Sequence, residues 1–447
     1  MHEWDLAEGG GYAAFMLRRL DLRAGAPVIG ELPRPDLADE GPVAEVRAIV
    51  EDVKVRGDAA LREYSKLFDK VDIDEIRVSI ADIDSAPARL DAALLEALTE
   101  AARSIELFHR HRSADPDTYE RNGIEVDLLE LPVARAGVYV PGGRASYPSS
   151  VLMCAIPARV AGVQAVAVCV PPAPDGSIPD EVLAAASLAG VDEIYRIGGA
   201  QAIAAMAYGT ETVGRVDVIV GPGSRRVSLA KLEVRGAVGM PAAFAGPSEV
   251  VVIADGTVPV DYVAIDLVVQ AEHGPDGLAW LITWSETVLQ AVTEAVTRFV
   301  AQSPRRREIE ATLAGGGYAV LVDGPEQAMA VANEIAPEHL ELCCDNPRAL
   351  LSAVRNAGAV FVGPYTPASL GDYIAGPSHT LPTFRSARYS SVLGVEDFLR
   401  RVHVVSADRA ALNRVAPHVI AIAKAEGLLA HALSVQLRAG PEKAEHP

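Results

Sequence analysis

The stretch Gly137-Val138-Tyr139-Val140-Pro141-Gly142-Gly143 decides the fold. A short apolar, β-favouring run meets a proline and two glycines, and a helical pattern over 149–161 follows. The same texture recurs. A strand at 165–170 precedes a helix at 179–188, and a strand at 193–197 runs through Gly198-Gly199 into a helix at 200–208. A strand at 216–220 then runs through Gly221-Pro222-Gly223 into a helix at 224–233. This β-α alternation predicts a parallel sheet with helices on both faces. Ligands of such sheets bind beyond the carboxyl ends of the strands, where the three glycine loops fall.

Outward from that block, a second alternation begins at 249–254 and runs to about 362. Before it, Val43, Val46, Ile49, Val50 and Val53 fall at helical spacing, and helices at 59–68 and 90–111 follow. The expected fold is α/β: two Rossmann-like doubly wound domains, with small N- and C-terminal helical segments. The expected division is an arm over 1–40 around a short helix at 12–20, a first α/β domain from 41–135 and 248–389, a second from 136–247 on the dinucleotide side, and a helical tail over 390–447. No G-x-G-x-x-G fingerprint and no Walker loop occurs, so the architecture suggests a nucleotide while the motifs do not.

The chain has 447 residues, enough for two or more cores. Half of them are apolar and the formal net charge is −20, a field that repels nucleic acid and anionic membranes. Neither a signal peptide nor a membrane span is read. Cys154, Cys169, Cys343 and Cys344 lack zinc-knuckle spacing and suit a reducing compartment, with the cytoplasm as the expected location.

Three places could carry chemistry. In Ala336-Pro337-Glu338-His339-Leu340-Glu341-Leu342, Pro337 breaks a helical pattern and an alternating one begins, which puts Glu338 and His339 at a helix-to-strand junction. An acid beside an imidazole can handle protons, or the two can be surface polarity. In Gln270-Ala271-Glu272-His273, residues 270 and 273 share one helical face and can converge on an ion, or they can simply cap a helix end. The third place is Gly371-Asp372-Tyr373, with His379 seven residues on, and Glu426 and His431 lie on the last helical stretch. No H-E-x-x-H pattern occurs, so any metal must draw ligands from distant segments.

Taken together, several stretches resemble the histidinol dehydrogenase family: Arg56-Gly57-Asp58-Ala59-Ala60-Leu61, the 137–143 turn, Gly198-Gly199-Ala200-Gln201-Ala202-Ile203, 270–276, 336–342, Leu370-Gly371-Asp372-Tyr373 and Glu426…His431. They stand in family order from about residue 43 to about 438. The resemblance implies a zinc- and NAD-dependent enzyme that oxidises L-histidinol to L-histidine through L-histidinaldehyde with two NAD. It implies Gln270, His273, Asp372 and His431 as zinc ligands and Glu338 and His339 as the acid/base pair. Ser248, His379 and Glu426 would join them around the substrate, and Tyr139, Gln201 and Ser224 would lie along the dinucleotide. It also implies a homodimer in which Glu426 and His431 reach the neighbouring protomer's site. Ser224, the 238–245 segment and Ser378 depart from the family's usual residues. Two alternatives stand beside this reading: a paralogue of the same scaffold acting on another small polyol or amino alcohol, such as a sulfonated propanediol, and a zinc hydrolase or non-catalytic metal-binding protein.

Overall fold

The computed structural model describes residues 16–24, 32–33, 42–111, 118–142, 145–241, 248–272, 274 and 277–439. Two parallel sheets organise them. The first runs in the order Glu193–Arg196, Ala165–Val170, Arg135–Tyr139, Val218–Val220, with every neighbouring pair parallel. Helices cover both its faces, as parallel crossovers require. Val138, Val166 and Val168 pack on the side of Ala92–His111, Pro148–Val160 and Asp180–Leu188. Tyr139, Ala167 and Cys169 point the other way, toward Val43–Arg56, Gly199–Tyr208 and Arg225–Glu233.

The helices between residues 43 and 111 therefore pack on the four-stranded sheet, whereas the sequence grouped 41–135 with 248–389. Periodicity tells which face of a helix is apolar but not which sheet covers it.

The second sheet has six parallel strands in the order Arg18–Asp21, Gly317–Leu321, Leu278–Thr283, Glu249–Ala254, His339–Cys343, Ala359–Val362. Val250, Val252 and Leu281 face Leu267 and Val296 on one side. Val251, Trp280 and Leu340 face Met329 and Val331 on the other, with Trp280 stacked on Tyr318 at 4.1 Å between ring centres. Leu340 is fully buried, so its truncation to alanine would cost ~2–5 kcal/mol.

Two expectations are corrected. The helix read at 12–20 is not formed over its second part: Arg18–Asp21 is a strand paired with Gly317–Leu321, and 12–15 lie outside the described residues. Pairing with an open sheet edge overrides local preference there. The tail is not purely helical either. Leu399–Ala407 pairs antiparallel with Ile124–Pro132, which pairs with Thr118–Arg121. Leu399–Ala407 is exposed along nearly all its length, so no buried-face alternation marked it.

The Glu338-His339 junction is built by its neighbours. The helix Pro325–Ile335 stops because Ala336 takes a left-handed φ of 51° and Pro337 cannot extend a helix. Ala359 then donates its N–H to the Glu338 carbonyl at 2.8 Å, and Gly358 to that of Pro337 at 3.0 Å. Residue 358 has to be glycine for this approach, since a Cβ there would lie 2.6 Å from the Glu338 carbonyl oxygen. Among the described residues no helix is long and apolar enough to cross a membrane.

Candidate active site

His339 is the first residue of its strand and sits opposite Val250 and Ala359, so it lies at the amino edge of the six-stranded sheet. The glycine loops lie at the carboxyl edge of the other sheet. Glu338 and His339 are both buried. Glu249 holds the pair through its peptide groups. Its N–H donates to Glu338 Oε2 at 3.0 Å, and its carbonyl lies 3.2 Å from His339 Nδ1.

A carbonyl only accepts, so Nδ1 carries the proton and the neutral ring keeps its lone pair on Nε2. That nitrogen is buried, has no hydrogen-bond partner among the described residues, and faces Asp372 Oδ1 at 3.6 Å. Burial pushes Glu338 up to about 7, partly opposed by the neighbouring imidazole and by the Glu249 and Ser248 hydrogen bonds. Burial by itself lowers His339, but the carboxylates of Glu338 and Asp372 outweigh it and hold the ring at about 9.

The structure brings further expected residues to this edge. Ser248 hydrogen-bonds the Glu338 carboxyl. Asp372 lies in the short helix Ala368–Tyr373, and its carbonyl accepts from His379 Nδ1 at 3.0 Å. His379 Nε2 is 3.1 Å from the Ser150 hydroxyl, which links the site to the helices of the four-stranded sheet. Gln270 is in the last turn of Val260–Ala271, a helix that runs back against the strands and ends at their amino edge. Its amide is buried and Nε2 has no partner among the described residues. His273 lies outside the described residues.

Glu426 and His431 are not brought to this edge by their own chain. Both are exposed on the hairpin of Arg409–Ala425 and Leu429–Gln436, which packs on itself and on Leu399–Ala407.

On the other sheet, Tyr139 and Gln201 are buried rather than presented on the surface. The Tyr139 hydroxyl accepts from the Gly199 N–H at 3.1 Å, and burial raises its pKa. Gln201 Oε1 is buried without a hydrogen-bond partner among the described residues. Gly221 has a φ of 104°, and a Cβ there would collide with the Tyr139 carbonyl, so the backbone of this turn packs as glycine alone allows. Ser224 caps the helix Arg225–Glu233, its hydroxyl accepting from Val227 N–H at 3.5 Å.

Several contributors were not read from the sequence. Glu249 acts through its backbone and Ser150 through one hydroxyl, and neither leaves a motif. Glu341 left a signal: alternation after Pro337 puts 339, 341 and 343 on one face, so a carboxylate falls on a buried strand face. Asp266, Glu341 and Cys343 bring one ligand atom each within 4.8 Å of one another, a trio distinct from the expected zinc set. Burial, with neighbouring carboxylates, raises the Cys343 thiol far above the thiolate range, which disfavours it as a ligand. By contrast, Gln270 Nε2 and His339 Nε2 are buried with no hydrogen-bond partner among the described residues, and the Asp372 carboxylate lies 3.6 Å from His339 Nε2. That arrangement fits a bound ion and a polar substrate there.

A family model described as histidinol dehydrogenase matches residues 32–439. Histidinol dehydrogenase of Gluconobacter oxydans is 48% identical over 405 residues, covering 90% of this chain and 94% of that protein. The Synechococcus protein of the same name is 49% identical over 400 residues, covering 88% and 92%. The crystal structure of histidinol dehydrogenase from Elizabethkingia anophelis superposes with a TM-score of 0.89 at 35% identity, covering 95% of this chain and 98% of that one. These relatives favour neither the polyol paralogue nor the zinc hydrolase. The match runs through both sheets, the Glu338-His339 junction and the exposed tail alike, and the chain belongs to the histidinol dehydrogenase family.

Proposed function

We propose that this chain oxidises L-histidinol to L-histidine by way of L-histidinaldehyde, with Glu338 and His339 moving the protons. The observation that carries the assignment is the contact of the Glu249 carbonyl with His339 Nδ1. Glu249 occupies Nδ1, so Nε2 is the nitrogen free to accept a proton, and it points at the edge where Asp372 lies.

His339 Nε2 takes the hydroxyl proton as hydride leaves the carbinol carbon for NAD. Glu338, ionised in part near neutral pH, takes a proton from the water that hydrates the aldehyde. The same groups serve the second oxidation, which yields the acid. Gln270, His273 and Asp372, with His431 of a second copy, would hold zinc, which supplies positive charge to fix the substrate's amine and imidazole without changing oxidation state. With Asp372 engaged by a cation, one of the two carboxylates that favour the protonated ring is neutralised, and the base form of His339 gains. Ser248, His379 and Glu426 would contact substrate, and the buried wall of Tyr139 and Gln201 with the Ser224 cap supports the dinucleotide side.

A homodimer completes the site on this reading, since Ile422, Leu429, Leu433 and Leu437 leave apolar surface exposed on the hairpin that bears Glu426 and His431. A cytoplasmic location suits the four buried, unpaired thiols. The test is NADH absorbance with limiting L-histidinol in the presence of zinc. Two NADH per histidinol are expected; one, or none, overturns the reading.

A further inference from the structure

Glu341 stands two residues beyond His339, and its side chain points to the same side of the sheet. It is 1% exposed. One oxygen, Oε1, accepts the backbone N–H of Ala368 at 3.1 Å, at the start of the helix that carries Asp372. The other, Oε2, is buried and meets no donor among the described residues. The Asp266 carboxyl lies beside Glu341, an oxygen of each within 4.8 Å of the other, and burial together with the Asp266 charge pushes the Glu341 carboxyl well above its ordinary range. Two ionised carboxylates buried this close would repel, so the pair holds one proton between them. Asp266 precedes Gln270 by four residues on Val260–Ala271, so the two share a helical face.

The spacing matches. Four helical residues advance ~6 Å and two strand residues ~6.6 Å, and the helix and strand run in opposite directions toward the same sheet edge. Asp266 opposite Glu341 therefore sets Gln270 level with His339.

We propose that the Asp266–Glu341 carboxyl pair is a positioning clamp that fixes the helix of Gln270, the helix of Asp372 and the strand of His339 relative to one another. The clamp rests on the reading of Gln270 and Asp372 as metal ligands and His339 as base. It touches neither substrate nor cofactor. Its role is to hold the ligand-bearing elements at one separation, which a metal site needs more than a fold does.

The test compares Glu341→Gln with Glu341→Ala in the full-length protein. Glutamine keeps an oxygen for Ala368 and offers an N–H to Asp266 in place of the shared proton, so zinc affinity and kcat are expected within about threefold of the parent. Alanine removes both tethers. With the circular dichroism of the folded chain retained, it is expected to lower zinc affinity, measured by chelator competition, by ~10–100-fold, and to lower kcat more than it raises KM. Should Glu341→Ala fail to fold, Asp266→Ala leaves the Ala368 tether in place and is expected to lower zinc affinity in the same direction.

A lower melting temperature with unchanged zinc affinity and kcat in the alanine variants would reduce the pair to ordinary packing and overturn the clamp. Glutamine as damaging as alanine would overturn it too. Two zinc ions per chain, one of them lost in Glu341→Gln, would make the pair a ligand set instead. Gln270→Ala and Asp372→Asn separate the two readings. If they leave zinc binding intact, the ligand assignment fails and takes the clamp with it, whereas if they abolish binding while Glu341→Ala does not, the clamp alone fails.

Discussion

The Glu249 carbonyl lies 3.2 Å from Nδ1 of His339 and so fixes which ring nitrogen is basic. The same residue's N–H holds Glu338 at 3.0 Å, so one peptide unit orients both members of the pair. Because these are backbone contacts, no side chain at 249 could reveal them in the sequence.

His339→Ala removes the nitrogen proposed to accept the hydroxyl proton while leaving Gln270 and Asp372 in place. Turnover of L-histidinol is expected to fall by ~10²–10⁴-fold, the usual weight of a general base. Zinc content, read by atomic absorption, stays at the parent value. Full activity in the variant would remove His339 from the role of base.

Glu338 and His339 give the metal-free protein a pH signature. Both folded values, about 7 and about 9, lie above the ordinary ones. Each group's contribution is thus fully present below its unfolded pKa and is lost as pH rises through the folded value. Urea midpoints of the metal-free protein should fall between about pH 4.5 and about pH 9, and the lower part of the fall should shrink in Glu338→Gln. For turnover the sign is opposite. In the role proposed for Glu338 the carboxylate activates water, so oxidation of L-histidinaldehyde should rise with pH through about 7 in the parent and lose that limb in Glu338→Gln. An unchanged limb in the variant would exclude Glu338 as its source.

Much of this architecture was legible because the central strands of both parallel sheets are buried on two faces and glycine turns punctuate the chain, as at 198–199. Pro337 made the junction legible as well. The proposed ligand set of Gln270, His273, Asp372 and His431 was not readable from spacing, since these residues come from separate segments of the chain; it rested on resemblance to the family. Arg18–Asp21 and Leu399–Ala407 escaped because each owes its strand conformation to a distant partner, Gly317–Leu321 and Ile124–Pro132 respectively. Glu341 could have been found, since a carboxylate on the buried face of an alternating strand demands a partner.

The exposed hairpin bearing Glu426 and His431 supports the last expectation. If His431 completes a neighbour's site, then a dimer of one His339→Ala protomer and one His431→Ala protomer holds one site with both lesions. Its other site has neither, because the His431→Ala body keeps His339 and receives an intact His431 from the His339→Ala tail. Each parent variant alone is inactive. Unfolding and refolding them together at equal amounts gives heterodimers as about half of all dimers, so activity should recover to roughly a quarter of the wild-type value per chain. Mass spectrometry of differently tagged protomers measures the heterodimer fraction directly. Heterodimers at that fraction with no activity would place both residues in one protomer's site.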